Sequence, residues 1–174
     1  MSSLVVDDIT NSSGTRPYNV TLSAENTTTG GTSLDFTNIP TGTTQITLMG
    51  TISTSGTSDV IFQLGSGEVF ETSGYVGNVA NQAATFEALS DGFDMKLSVI
   101  AARNYTFLVN LHLENSSSNT WYCKGSCVSP GNADEHDVVL GTKSLTGVLD
   151  SIRVTTSGGS DTIDGNSGIS IQFQ

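Results

Sequence analysis

The residues of this chain that could do chemistry gather between Cys123 and Asp137. Cys123-Lys124-Gly125-Ser126-Cys127 is its one cysteine motif. A structural zinc site takes four ligands, and a single C-x3-C pair supplies two. His136 and the acids Asp134, Glu135 and Asp137 follow closely, yet they do not complete a recognisable ligand set, so no metal and no other cofactor is expected. Cys123 and Cys127 read instead as a local disulfide pinning a loop tip, the alternative being two free thiols. Asp134-Glu135-His136-Asp137 could supply an acid and a base. Carboxylate-based hydrolysis, however, needs two carboxyls held on opposite sides of a substrate bond, which neighbours in one loop seldom achieve. The run reads as a solvated acidic loop.

Elsewhere the signals are weaker. His112 shares a strand face with Leu108, Asn110 and Glu114, and no nucleophile elbow of the G-x-S-x-G type accompanies it. Gly158 to Gly165 (GGSDTIDG) is similar to one calcium-binding β-roll repeat, but such repeats bind only when several stack, and one copy reads as a turn. Trp121 and Tyr122 stand beside the cysteine segment. Exposed aromatics at a loop tip commonly stack on sugar rings, whereas large aromatics more often fill a core. Trp121, Tyr122, Asp134, Glu135 and His136 are therefore the candidate contacts for a surface partner. No catalytic constellation emerges, and the expectation is a protein that is not an enzyme.

What must position these residues is legible in the pattern of the chain. Ile46, Leu48 and Ile52 alternate with Thr47 and Thr51; Val60, Phe62 and Leu64 alternate with Asp59, Ile61 and Gln63. A Ser/Thr/Gly loop joins the two runs, which predicts a pair of antiparallel strands with one dry face. Tyr18 to Ala24, Phe93 to Ala101, Tyr105 to Leu113, Thr120 to Tyr122, Val138 to Leu140, Leu145 to Thr156 and Ile169 to Phe173 repeat that period of two. Pro40-Thr41-Gly42 marks a turn, Asn115 to Asn119 a polar tip, and Cys123 to Asp137 an inserted loop. Gly77 to Phe86 is ambiguous and admits a short helical turn. The expected fold is all-β, a jelly-roll-like antiparallel β-sandwich of about 8–10 strands. Residues 1–33 form a short irregular N-terminal arm, and residues 34–174 form the sandwich domain.

Composition narrows the partners. The 174 residues suit one domain with a sizeable core. Only 13% of residues are charged, so solubility rests on hydroxyl and amide groups. Six basic residues against 17 acidic ones give a net charge of -11, which disfavours nucleic acid and anionic membrane surfaces alike. No apolar run is long enough to span a bilayer, so no membrane insertion is expected. The first residues lack the basic start and apolar core of a signal peptide, which argues against classical secretion.

Two blocks carry a resemblance. Ile39 to Gly77 contains IPTGTTQITLMGTISTSGTSDVIFQLGSG and ETSGYVG; Leu145 to Phe173 contains LDSIRVTT followed by SDTIDGNSGISI. Together they resemble the β-sandwich domain at the C-terminal end of bacteriophage tail-fibre proteins. That resemblance implies a virion structural protein located at a tail appendage, a homotrimer, and contact with a host cell-surface glycan. The N-terminal arm would then dock onto other virion proteins. A capsid decoration or head-fibre protein that stabilises the shell is the second expectation.

Overall fold

Alternation of apolar and hydroxyl-bearing residues drives this chain into strands, and no helix occurs among the described residues. The structure, a computed structural model, describes residues 21–22, 26–27, 30–82, 85–129 and 136–174. In chain order the strands are β1 (Thr21–Leu22), β2 (Asn26–Thr27), β3 (Ser33–Phe36), β4 (Gln45–Ile52), β5 (Val60–Ser66), β6 (Val69–Phe70) and β7 (Tyr75–Asn81). They continue with β8 (Phe86–Ala88), β9 (Phe93–Lys96), β10 (Tyr105–Asn115), β11 (Thr120–Val128), β12 (His136–Ser144), β13 (Ser151–Thr156) and β14 (Gly168–Phe173). Ten of these have four or more residues, in line with the expected sandwich.

The strands form two antiparallel sheets. The larger runs β1-β14-β4-β10-β11-β12-β7-β8, with β2 also on β14; the smaller runs β3-β13-β5-β6, with β9 also on β5. Alternation is clear in β10, where Tyr105, Phe107, Val109 and Leu111 are buried and Thr106, Leu108 and His112 are exposed. The inward faces meet in a single core that includes Ile46, Leu48, Phe62, Leu64, Trp121, Val139, Ile152 and Ile171. Two edge-to-face aromatic pairs cross the gap between the sheets. Phe62 meets Phe107 at 5.6 Å between ring centroids, and Phe93 meets Tyr75 at 4.9 Å. Gly141 makes room for this packing, since a Cβ there would lie 2.5 Å from Leu89 Cδ1 and 3.3 Å from Phe93 Cε1.

Several expectations need correction. The runs Ile46–Ile52 and Val60–Leu64 are strands but not partners. β4 lies in the larger sheet between β14 and β10, while β5 lies in the smaller sheet. The polar loop between them crosses the sandwich, because both runs bury their apolar face and do so from opposite sides. Phe93 to Ala101 is not one strand: β9 ends at Lys96, and Ser98 (φ 53) and Ala102 (φ 61) turn the chain in left-handed conformations. Gly77 to Phe86 holds no helical turn among its described residues; Tyr75–Asn81 is a strand paired with β12. Part of the strand predicted over Tyr18 to Ala24, and much of the arm, lie outside the described residues.

The inserted loop is corrected as well. Cys123 to Val128 continues β11, and His136 begins β12. Cys123 and Cys127 are free thiols, both buried on the inward face of β11. Four residues along a strand separate their Cα atoms by roughly 13 Å, against a limit of about 7 Å for a disulfide. The expected loop-tip bridge is thus sterically excluded. Burial pushes the Cys123 thiol far above its usual range, which makes it a poor nucleophile.

Two outcomes follow. The native chain should react slowly with a thiol reagent, the denatured chain should titrate for two thiols, and reductant should leave the melting temperature unchanged. Tyr75 supplies a second test, because its hydroxyl accepts the Leu64 amide at 2.8 Å and donates to the Glu71 carbonyl at 2.9 Å, bridging the sheets. Tyr75→Phe orphans a buried amide and should cost about 1–3 kcal/mol in denaturant unfolding.

Candidate functional site

Opposite faces of β11 divide the two candidate aromatics. Trp121 points inward and is 2% exposed, so its indole is core and no stacking platform. Tyr122 points outward and is 44% exposed. It sits across from His112, whose Nδ1 lies 2.9 Å from Gln45 Nε2. His136 is exposed at the start of β12, opposite Val128. Asp134 and Glu135 lie outside the described residues. Asp137, expected in a solvated loop, is instead fully buried on the inward face.

Outward side chains of neighbouring strands form transverse rows across the larger sheet. One row runs Met49, Leu108, Ser126, Val138, Ala80 and Phe86. Beside it Leu140 and Val76 are 61% and 67% exposed, far above what a strand residue needs in a covered face. Exposed apolar side chains thus stand close together on this face, as they do on many protein interaction surfaces. Among the outward-facing residues of β4, β7, β10, β11 and β12, Glu114 is the only carboxylate. In a chain with 17 acids, that face is nearly free of them.

The outer face of the smaller sheet is its chemical opposite. A polar cleft of about 290 Å³ opens there, lined by residues that include Gln63, Thr72, Asp91, Arg153, Thr155 and Thr156. Arg153 is fixed by two bonds to the Asp35 carboxylate, at 2.8 and 2.7 Å, and lies 4.1 Å over the Phe70 ring. Gln63 donates to the Asp91 carbonyl at 3.0 Å. Thr156 borders the cleft through its backbone, since its 1% exposed side chain shares the inward face of Ile152 and Val154. Such an arrangement can donate and accept hydrogen bonds to a polyhydroxylated ligand.

Acidic groups otherwise serve the fold. Asp161 accepts the Ser58 amide at 2.9 Å and Asp164 accepts the Ser53 hydroxyl at 2.7 Å, so the calcium-like segment uses its carboxylates to anchor loops. No group of three or more ligating side chains suited to a metal occurs among the described residues. Burial alone would raise Glu71, but the Lys143 ammonium and the Thr146 amide and hydroxyl hold its carboxyl below the usual range. Between the sheets, Lys96 and Asp137 form a salt bridge at 3.2 Å with side chains 4% and 0% exposed. Sequence reasoning missed it, although Asp137, Val139 and Gly141 share the inward period of β12.

Comparison with protein-family models, with curated proteins and with solved structures finds no match. The residues themselves must carry the functional reading.

Asp94 gives this region a pH dependence. Burial, then the neighbouring acids Asp59, Asp91 and Glu87, push its carboxyl up to about 7 from an ordinary 3.8. Between those values the folded chain keeps a proton that the unfolded chain has lost, so stability falls as pH rises from about 4 to about 7 and this contribution is level above. Asp94→Asn should flatten that slope and raise the melting temperature at pH 8, as read by thermal unfolding across pH.

Proposed function

We propose that this chain is a structural protein of a bacteriophage virion, a homotrimeric tail-fibre or tail-tip component that contributes to host attachment. The observation that carries the reading is where the two tail-fibre-like blocks meet. β4 and β5 come from the first block, β13 and β14 from the second. β14 pairs with β4 in the larger sheet and β13 with β5 in the smaller. The resemblance therefore follows one packed unit and not two scattered strings.

The outer face of the larger sheet is the subunit contact in this reading. Self-association of a chain with net charge -11 works against like-charge repulsion, and a face with one carboxylate minimises it. Its apolar row, from Leu108 through Val138 to Phe86, supplies burial. The smaller sheet then faces outwards, and contact with a host cell-surface glycan falls to the polar cleft around Gln63, Asp91 and Arg153. That assignment replaces Trp121, Tyr122, Asp134, Glu135 and His136 as the proposed receptor contacts. Three such clefts on one trimer add avidity to weak single-site binding. The segment before Leu34 docks onto other virion proteins.

Light scattering after size exclusion should give a trimer for the full chain, and Leu140→Glu with Val138→Glu should give a folded monomer. A native chain that is monomeric at micromolar concentration removes the trimer. Labelled electron microscopy of particles decides location: label at the tail supports the proposal, and label on the head replaces it with shell decoration.

A further inference from the structure

Lys96 and Asp137 are placed for more than an ion pair. Nζ of Lys96 lies 3.3 Å from Oδ1 and 3.2 Å from Oδ2 of Asp137, so the amine faces the carboxyl group evenly. The backbone of Leu97 holds both partners. Its carbonyl accepts a hydrogen bond from Nζ, and its amide donates to Oδ2 at 2.6 Å. The surroundings are dry, with the Tyr105 ring 5.4 Å from Nζ and both residues buried. Two charges here are costly, since sealing an ion pair from water takes several kcal/mol per ion before their attraction is counted.

We propose that Lys96 and Asp137 condense in the folded protein into an intramolecular amide that covalently joins the smaller sheet to the larger. One ammonium proton passes to Asp137, leaving a neutral amine and a neutral acid. The Nζ lone pair attacks Cγ, forming the C–N bond. Charge that develops on Oδ2 is met by the Leu97 amide, which already points at that atom. A second amine proton moves to Oδ1, the Cγ–Oδ1 bond breaks, and one water leaves. No oxidant, reductant or further reactant enters, and two buried charges become a neutral amide.

Water and dilution normally oppose amide formation from an amine and an acid. Here Nζ lies within 3.3 Å of both carboxyl oxygens in a pair shut from water, and intramolecular reactions between well-oriented groups reach effective molarities of about 10⁵–10⁸ M. In this proposal the half-buried Asp59, next to the cross-strand partner of Lys96, carries the proton. It anchors on the Ser98 amide at 2.8 Å and precedes Val60, the cross-strand partner of Lys96. It interacts electrostatically with both Lys96 and Asp137, and burial holds its carboxyl above the usual range.

Intact-mass spectrometry of the full chain tests this directly. The expected mass is lower than that of the sequence by one water, with a tandem-mass fragment joining the peptides of Lys96 and Asp137. Dehydration at Asp91-Gly92 or Asp164-Gly165 would also remove one water, so a loss mapped there, or an unchanged mass, overturns the proposal. Asp137→Asn should reach the same amide by losing ammonia, while Lys96→Met should keep its full mass. Followed in time after cell-free synthesis, Asp59→Asn should slow the mass change about a hundredfold. An unchanged rate removes Asp59 from the reaction.

Discussion

Two opposite charges shut between two sheets set the terms for the rest of this molecule. Lys96 comes from β9 of the smaller sheet and Asp137 from β12 of the larger. A buried charge without its partner is far more costly than the pair, so the sheets must keep one separation and one register. The surrounding groups act in the same sense. Tyr75 ties β7 to the Leu64 amide of β5, and the Phe62–Phe107 and Tyr75–Phe93 contacts fill the gap between. Once the inner faces are committed in this way, the described residues offer partners the two outer faces, the sheet edges and the loops.

The distribution of charge makes those outer faces unequal. A large acidic excess must go somewhere, and several carboxylates are spent on backbone amides and hydroxyls of loops: Asp150 on Gly67, Asp59 on Ser98, Asp161 on Ser58, Glu71 on Thr146. Asp59, Asp91 and Glu87 are close enough to Asp94 to raise its carboxyl. The outer face of the larger sheet is left with hydroxyls, amides and exposed aliphatic side chains. Low charge on that face and a fixed arginine beside a polar cleft on the other give the sandwich two surfaces of different chemistry, which an appendage component needs if one side meets its own kind and the other meets a host.

Much of this architecture was legible in the order of side chains. The period of two in Tyr105 to Leu113 placed the buried face correctly because β10 is central and one side of it meets water. The same reasoning failed at β9. Phe93 and Met95 are buried as expected, but Asp94 and Lys96 are buried too, and a register shift between Val60 and Ile61 brings Lys96 to the side that meets Asp137, so alternation there reports no solvent side. Partner choice was equally opaque. The short loop between Ile52 and Val60 suggested a hairpin, and nothing local distinguishes a hairpin from a crossing between sheets. Asp137 was read with its charged neighbours in sequence when its true company is Val139 and Gly141, two and four residues on. The cysteines misled for a related reason: proximity in sequence is distance along an extended strand.

The pairing of early with late strands has a consequence for when the charge pair can exist. β4 meets β14 and β3 meets β13 across more than a hundred positions, and β5 meets β13 across nearly as many, so distant residues must find one another. Such non-local sheets assemble slowly, because loop-closure entropy is lost before the contacts repay it. Lys96 and Asp137 meet only when both sheets are in place and water has left the space between them. Any interaction between them, ionic or covalent, is therefore a late event that acts on the finished sandwich. It cannot guide the search, but it can hold the result.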